Sequence, residues 1–559
     1  MPALVATLSV IIAVAGSIDV RRGRPRPQRN LMSAILAPDR SGVQLVSGTQ
    51  SDALAWGNFE DNIANNGWSY LEIRSNPNHL DEATAYAAGA IEANLTRKLI
   101  DAHLHNMHDD YCTNQNTAYC EKLERNYNAK LRWMNKRASE KRYASPYWNQ
   151  VFLMLKQLAG LEDAYYNRTL NYTNSYHTVS KLFLANNEGK LDDLETTLQR
   201  KPDNASLSTI PPCSMLIRLT NRDLLAGHTT WHVYRAMLRI QKKYMLNFRL
   251  PPDKGGNVGF PVPGPSITMT SYPGKLSSLD DFYVISSGLV VTETTNEVHN
   301  KSLYNAVHNE SVPTSFRAMA ANRIAENGRH WTRNFEKHNS GLYNNQWVVI
   351  DYKKVNASKD GIKLAKETFW ILEQMPTLIR SQDMTSIFEK QGYWGSYNIP
   401  YFSDIYNVSG YLEKFKEFGD VYSHERCPRA RIFQRDYLRV KDPQTMIAML
   451  RYNDFKHDPL SACNCTPGYS PVYTIAARYD LNDPHSKCAE EALDWNLTGA
   501  IDVKVANIDS TRDLSFDAVC GPTYDQQPVF SWSTSGAAKI PIGHPDRFEF
   551  KPVRHRWTL

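Results

Sequence analysis

Between residues 81 and 167 apolar residues recur at three- and four-residue intervals. The stretches DEATAYAAGAIEANLTRKLIDAHLHNM, EKLERNYNAKLRWMNKRASEKRY and SPYWNQVFLMLKQLAGLEDAYYN therefore predict three helices. The last opens on Ser145 and Pro146, a cap and first-turn pair. From 184 to 212 the chain turns polar and charged, with few aromatics, and reads as an exposed linker and the main internal boundary. Strand signals dominate after it. CSMLIRL, DLLAGHTTW, SITMTSY and DFYVISSGLVVTETT are rich in β-branched and aromatic residues and are separated by Pro-Gly or Asn-rich turns. SFRAMAANRIAENGRHWTRNFEKHN and ETFWILEQMPTLIRS read as helices, and NNQWVVIDYKKV and GAIDVKVANID as further strands. Runs of helices and runs of strands, with no internal repeat, predict an α+β layered protein and argue against a doubly wound one.

The ends of the chain change the picture. MPALVATLSVIIAVAGS has an apolar run too short for a membrane span and ends in small residues, so 1–17 reads as a signal peptide cleaved near Ala15 to Ser17. Residues 18–45 read as a basic, Pro-rich leader carrying Arg21, Arg22, Arg24, Arg26 and Arg29. Those five arginines account for most of the net charge of +6 over 559 residues, so the folded part is nearly neutral and offers no electrostatic case for nucleic acid. No other segment is apolar enough to span a bilayer, so no integral membrane segment is expected. The N-x-[S/T] sequons at Asn94, Asn167, Asn171, Asn204, Asn300, Asn309, Asn356, Asn407 and Asn496 point to N-linked glycans and the secretory route, to a lysosome-like lumen or the extracellular space; an additional sequon at Asn464 has cysteine at its middle position.

Eight cysteines are too few for a disulfide scaffold of this length. Cys112 and Cys120 enclose a polar loop and form a natural pair. Cys463 and Cys465 lie in a turn-rich stretch where Cys488 or Cys520 could be partners. If Cys213 is unpaired, parity leaves at least one more thiol, and Cys427 is the candidate. GWSYL at 67–71 lacks the last glycine of a nucleophile elbow, and the chain has neither HExxH nor a phosphate-cradling loop. His103, His105, His108, Asp109 and Asp110 could bind a divalent metal, against the plainer reading of a solvated helix end. Cys213 stands after two prolines, at the head of a strand. A cut at the Pro212–Cys213 bond would give it an α-amino group of pKa about 8, a general base for its own thiol. The plain alternative is a buried strand cysteine or a disulfide partner.

Four segments settle the preference: NSGLYNNQWVVIDYK (339–353), YWGSYNIP (393–400), RYNDFKHDPLS (451–461), and TSYPG followed by DDFY (270–283). Together they make the chain, from about residue 50 to its C-terminus, resemble the phospholipase B-like, or lamina-ancestor, family. That family is similar to N-terminal nucleophile hydrolases. The resemblance implies a four-layer αββα sandwich with an additional N-terminal helical region, made as a glycosylated precursor and cleaved internally. It implies a 46–183 fragment that is largely helical, a 184–212 linker that is cut or removed, and a 213–559 fragment. The two fragments stay associated, a homodimer is allowed for, and no cofactor is implied.

The family's CSALIK-type strand corresponds to CSMLIR, which makes Cys213 the nucleophile. GHTTW places His228 and Trp231 beside it, VTETT supplies Thr294 with Thr295 as the neighbouring alternative, YWGSYNIP supplies Asn398 for the oxyanion hole, and CPRARIF supplies Arg429 to lower the thiol pKa or orient the amine. The substrate implied is a phospholipid losing fatty acyl chains or an amide of lipid-like character. The alternative is a catalytically silent secreted binding protein. Pro212 departs from the small or polar residues usual in the family at that position, and its pinned φ constrains self-cleavage. Leu342 replaces the usual threonine of NSGTYNNQW.

Overall fold

The computed structural model describes residues 29–38, 41–176, 179–201, 213–252, 259–485, 487–488 and 493–559. The proposed signal peptide, the first part of the leader, Asn204 and the Pro212 side of the expected cut lie outside the described residues.

The helical region matches the expected pattern. Helices Asp81–His108, Thr117–Lys141 and Pro146–Tyr165 form there, and the Ser145 side chain accepts the Trp148 backbone N–H at the head of the third. The first is studded with alanine and buried continuously from Ala83 to Ala93, because small side chains let its backbone approach the third. The closest approach is reciprocal: a Cβ on Gly89 would lie 1.8 Å from the Gln157 carbonyl oxygen, and one on Gly160 would lie 1.9 Å from that of Tyr86. Backbone cannot yield at such a contact, so Gly89→Ala is expected to cost about 3 kcal/mol or more, read as a lowered urea midpoint.

Two sheets carry the fold. The larger has eleven strands, in the spatial order Ile379–Asp383, Phe369–Gln374, Asn345–Asp351, Leu289–Thr295, Phe282–Ile285, Ser266–Ser271, Arg239–Met245, Trp68–Ser75, Ala55–Asn62, Arg29–Leu36 and Val43–Ser47. All its pairings are antiparallel except one: Trp68–Ser75 runs parallel to Arg239–Met245, from Trp68 opposite Arg239 to Arg74 opposite Met245. The segments before and after the 202–212 stretch thus share one sheet. The smaller sheet orders Tyr393–Ser396, Ser214–Leu219, Leu224–Thr229, Asp502–Ala506, Asp517–Cys520 and Val553–Arg554. Helices Asp81–His108 and Gly328–Phe335 contact the larger sheet and Pro443–Leu450 the smaller one, while Leu289–Thr295 meets Ser214–Leu219 between the sheets. The protein is a mixed α and β structure, as its sequence predicts.

Four expectations are corrected. Residues 29–47 are not a free leader, because RNLMSAIL and VQLVS pair as strands at one edge of the large sheet. The 46–183 region also contributes two strands before its helices. ETFWILEQMPTLIRS is a hairpin, Phe369–Gln374 with Ile379–Asp383, and not a helix; the first strand is buried on both faces of the sheet, the second is its partly exposed edge, and Pro376 lies in the turn. The first part of the 184–212 linker is a helix, Glu188–Thr197, with Glu188, Leu191 and Leu194 buried. Its leucines recur at helical spacing, and Glu188 is neutralised by Lys275 in the interior.

Cys112 and Cys120 form a disulfide, as expected. Cys465 is disulfide-bonded, and its Cα partner across a short ladder is Cys488. Cys463 instead carries a thiol, its Sγ 3.8 Å from the Pro467 carbonyl, which corrects its assignment to a disulfide. Cys427 and Cys520 are buried thiols. The described sequon asparagines are exposed or half-buried. Among the described residues no helix is long and apolar enough to cross a membrane.

Candidate active site

Strand register builds the site. Ser214–Leu219 pairs Ser214 with Thr229 on one side and Met215 with Ser396 on the other. Continued by one or two residues, this ladder brings Thr230 and Asn398 alongside Cys213. Three sequence segments far apart in the chain converge because the central strand has two antiparallel neighbours.

Arg429 locks them together from the first turn of helix Pro428–Asp436. Its Nη1 donates to the Cys213 carbonyl (2.7 Å), Asn398 Oδ1 (2.8 Å) and Ser214 Oγ (3.2 Å), and its Nη2 to the Tyr397 carbonyl (2.6 Å). The guanidinium lies 4.7 Å from the centre of the Trp231 ring. A planar fork with donors in fixed directions suits this task, and a lysine could not satisfy all four oxygens.

Asn398 is held in the left-handed region, φ 71°. That conformation costs on the order of 1 kcal/mol or more and persists because its surroundings over-determine it. Its Oδ1 takes the Arg429 bond, its Nδ2 donates to the Thr295 carbonyl (2.7 Å), and its own carbonyl accepts from Tyr411 Oη (2.5 Å). One amide hydrogen of Nδ2 is left for a ligand, oriented in advance.

Thr294 and Thr295 divide their tasks. Thr294 Oγ1 lies 2.6 Å from Ser396 Oγ, a buried hydroxyl pair that ties the two sheets together behind the site. Thr295 faces the adjoining cavity and supplies the carbonyl that orients Asn398. His228 is fully buried and held neutral, its pKa pushed well down by burial and then by Lys504. The charges of the buried ion network of Arg239, Asp280, Asp502 and Lys504 act on it, and it does not line the cavity.

The Cys213 thiol accepts the Trp231 backbone N–H and is almost completely buried. Burial pushes its pKa well above the usual thiol range, and Glu293 pushes it further the same way. The expectation that Arg429 makes the thiol acidic is corrected for the uncut chain: the guanidinium is spent on carbonyl and amide oxygens, and the net shift is upward.

Beside these residues lies a cavity of about 340 Å³, walled by Trp231, Thr295, Asn296, Tyr343, Asn398 and Arg429 among others. Gly189, Asp193 and Thr196 of the helix predicted as exposed linker close another part of it.

The His-rich stretch does not converge as one cluster. His105 and Asp109 pair on the surface (2.8 Å), and Asp110 is exposed. His103 and His108 turn inward towards Glu188, with potential ligand atoms within 4.8 Å of one another. That carboxylate is bound by the Lys275 ammonium, and His232 Nε2 lies 3.7 Å from it while His232 Nδ1 accepts the Val233 N–H. A lysine ammonium on the only carboxylate of the set opposes a divalent cation there, so these residues do not fit a metal.

With this geometry in place, the Phospholipase B family model matches residues 55–555. The chain belongs to the phospholipase B family. Its relatives include the phospholipase B-like 2 protein of Rattus norvegicus, 40% identical over 96% of this chain and 92% of the relative. That of Homo sapiens is 38% identical over 98% and 94%. Phospholipase B-like protein B of Dictyostelium discoideum is 33% identical over 91% and 87%. Sequence reasoning named Cys213, Trp231, Asn398 and Arg429, and the fold brings them together. It missed Glu293, which lies inside the quoted VTETT motif, and Tyr397 and Tyr411, whose backbone and hydroxyl roles leave no spacing signal.

Proposed function

We propose that this protein is a hydrolase of the N-terminal nucleophile type, in which cleavage before Cys213 frees an α-amino group that serves the Cys213 thiol as base. The observation that carries the reading is the Arg429 clasp, which joins the Cys213 carbonyl, Asn398 Oδ1 and the Tyr397 carbonyl into one rigid unit beside a cavity. The released amine takes the thiol proton, sulfur attacks a substrate carbonyl, and the free Asn398 amide hydrogen holds the oxyanion. The ammonium returns the proton to the leaving group, and water hydrolyses the thioester. Family membership and the relatives' names favour acyl esters of phospholipids, and the same geometry serves amides of lipid-like molecules.

Helices lie against the large sheet and against the small one, with the sheets meeting between them, which supports an αββα sandwich. The shared eleven-stranded sheet supports fragments that stay together after the cut. The sequons and the apolar N-terminus support passage through the secretory route to a lysosome-like lumen or out of the cell.

In the uncut chain the raised thiol pKa and the acylated nitrogen of Cys213 leave it without a base, so uncut protein is expected to be inert and to resist iodoacetamide at pH 7. The test is intact mass and N-terminal sequencing after incubation at mildly acidic pH, for wild type and Cys213→Ala. A fragment beginning at Cys213 in wild type alone supports self-cleavage. A chain that stays whole, or is cut elsewhere in 184–212, overturns the proposal and leaves a binding protein.

A further inference from the structure

The side chain of Asn398 is held from two directions, by Arg429 at Oδ1 and by the Thr295 carbonyl at Nδ2. A residue kept at φ 71° needs its main chain held as well. Tyr411 does this. Its Oη donates to the Asn398 carbonyl (2.5 Å) and accepts the Glu297 backbone N–H (3.2 Å). Thr295 ends the strand Leu289–Thr295 and Glu297 lies just beyond it, so one short segment grips the Asn398 amide directly and its carbonyl through the phenol. The phenol is buried, which pushes its pKa well above the usual range and leaves the hydroxyl a donor.

The place of Tyr411 is itself fixed. It opens helix Tyr411–Phe418, and Gly410 before it stands in the left-handed region at φ 93°, where a Cβ would lie 2.9 Å from the Asn300 nitrogen. Only glycine fits both the conformation and the approach. At the same crossing the Asn300 N–H donates to the Ser409 carbonyl (2.8 Å), and the His299 ring meets the Tyr411 ring edge-on, centres 4.5 Å apart. The residues that follow Glu297 thus seat the ring whose hydroxyl reaches Asn398, and the ring also lines the cavity.

We propose that Tyr411 is a positioning residue for acyl transfer at Cys213: its hydroxyl fixes the Asn398 main chain so that the Nδ2 hydrogen is aimed at the oxyanion. This rests on the reading of Cys213 as an N-terminal nucleophile with Asn398 as its oxyanion donor. Tyr411 touches no reacting atom. Without the hydroxyl, the Asn398 carbonyl and the Glu297 N–H both lose their partner, and Asn398 can relax from the left-handed region. The aim of a donor is lost before its presence is.

Two reactions of the same thiol separate aiming from folding. With p-nitrophenyl acetate the Cys213 sulfur bonds to the acetyl carbon through a tetrahedral oxyanion, the carbon–oxygen bond breaks, p-nitrophenolate leaves, and the thiol proton passes to the α-amine. With iodoacetamide the sulfur displaces iodide and no oxyanion forms. Both rates are measured on cut wild type and cut Tyr411→Phe, with the acetyl group located by mass on the fragment that begins at Cys213. Tyr411→Phe is expected to slow acetylation by about 10- to 100-fold and to leave alkylation unchanged. Equal acetylation rates, or equal losses in both reactions, overturn the Tyr411 assignment alone. If Tyr411→Phe is not cut, its urea unfolding decides. A midpoint close to that of wild type places the failure in the chemistry and supports the assignment, and one lowered as far as that of Arg429→Met makes the hydroxyl a support of the fold and overturns it. A wild type with no fragment beginning at Cys213 overturns the parent reading and the Tyr411 assignment with it.

Discussion

Arg429→Met is expected to abolish chain cleavage and hydrolysis together and to destabilise the fold by about 4 kcal/mol. The side chain holds three oxygens that cannot turn away, the carbonyls of Cys213 and Tyr397 and the amide oxygen of Asn398. Methionine fills much of the space and leaves all three without their donor, and each buried orphan costs roughly 1–3 kcal/mol. The left-handed Asn398 then loses the bond that opposes its strain, and its amide no longer points reliably at an oxyanion. Loss of one preorganised donor slows acyl transfer by about 100- to 1,000-fold, so the catalytic effect is large even where the fold survives. Arg429→Lys is expected to recover part of the stability and little of the activity, because an ammonium is a point charge and not a fork. Urea unfolding gives the stability loss, and the yield of the fragment beginning at Cys213 gives the chemical one. Cleavage at the wild-type rate in Arg429→Met would remove the clasp from the mechanism.

The second large effect concerns acid. Burial holds the pKa of His108 and of His232 down to about 4, and Glu188, Lys275, Arg235, Lys181, Asp280 and Arg239 act on one or the other. His103 beside them is pushed well down. A histidine whose folded pKa lies below its unfolded value of about 6.5 contributes stability that is present above pH 6.5 and is lost as pH falls from there to about 4. The loss is on the order of 3 kcal/mol per residue. Raised carboxyls work in the opposite sense. Glu162, Asp281 and Glu373 are raised to about 7 by burial, so their contribution is present at low pH and is lost as pH rises through 7. The wild-type curve is the sum of both sets. His108→Gln isolates one member: relative to wild type it should lose its penalty between pH 6.5 and 4, by about 3 kcal/mol across that window. Denaturant unfolding at pH 7, 5.5 and 4 checks this, and parallel curves for the two proteins would show that His108 does not titrate there. The helix Glu188–Thr197, which is anchored by this cluster and walls the cavity, is where local opening should first appear by hydrogen exchange as the pH falls.

Where the two largest misreadings occurred is physically instructive. ETFWILEQMPTLIRS has apolar residues spaced acceptably for a helix, and only its pairing with Asn345–Asp351 on one side and Ile379–Asp383 on the other makes Phe369–Gln374 a buried strand. LANNEGKLDDLETTLQR is polar enough to suggest solvent, yet Glu188 is buried because Lys275, almost ninety residues away, meets it. Composition cannot reveal a charge whose partner is remote.

The amino-acid sequence by itself determined the mixed α and β class, the helices between 81 and 165, the short-range disulfide, the family, and the identity of Cys213, Trp231, Asn398 and Arg429. Each rests on local periodicity, close spacing in the chain, or long contiguous motifs. Tertiary structure alone decided which side chains do which work. It buried His228 among the charges of an ion network, divided bridging and lining between Thr294 and Thr295, and turned His103 and His108 inward. It also spent Arg429 on carbonyl and amide oxygens, and left one Glu293 carboxyl oxygen buried without a partner. The reason is common to all of them: burial, hydrogen-bond saturation and the sign of nearby charge are properties of residues brought together by strand register and sheet stacking, and no window along the chain contains both partners.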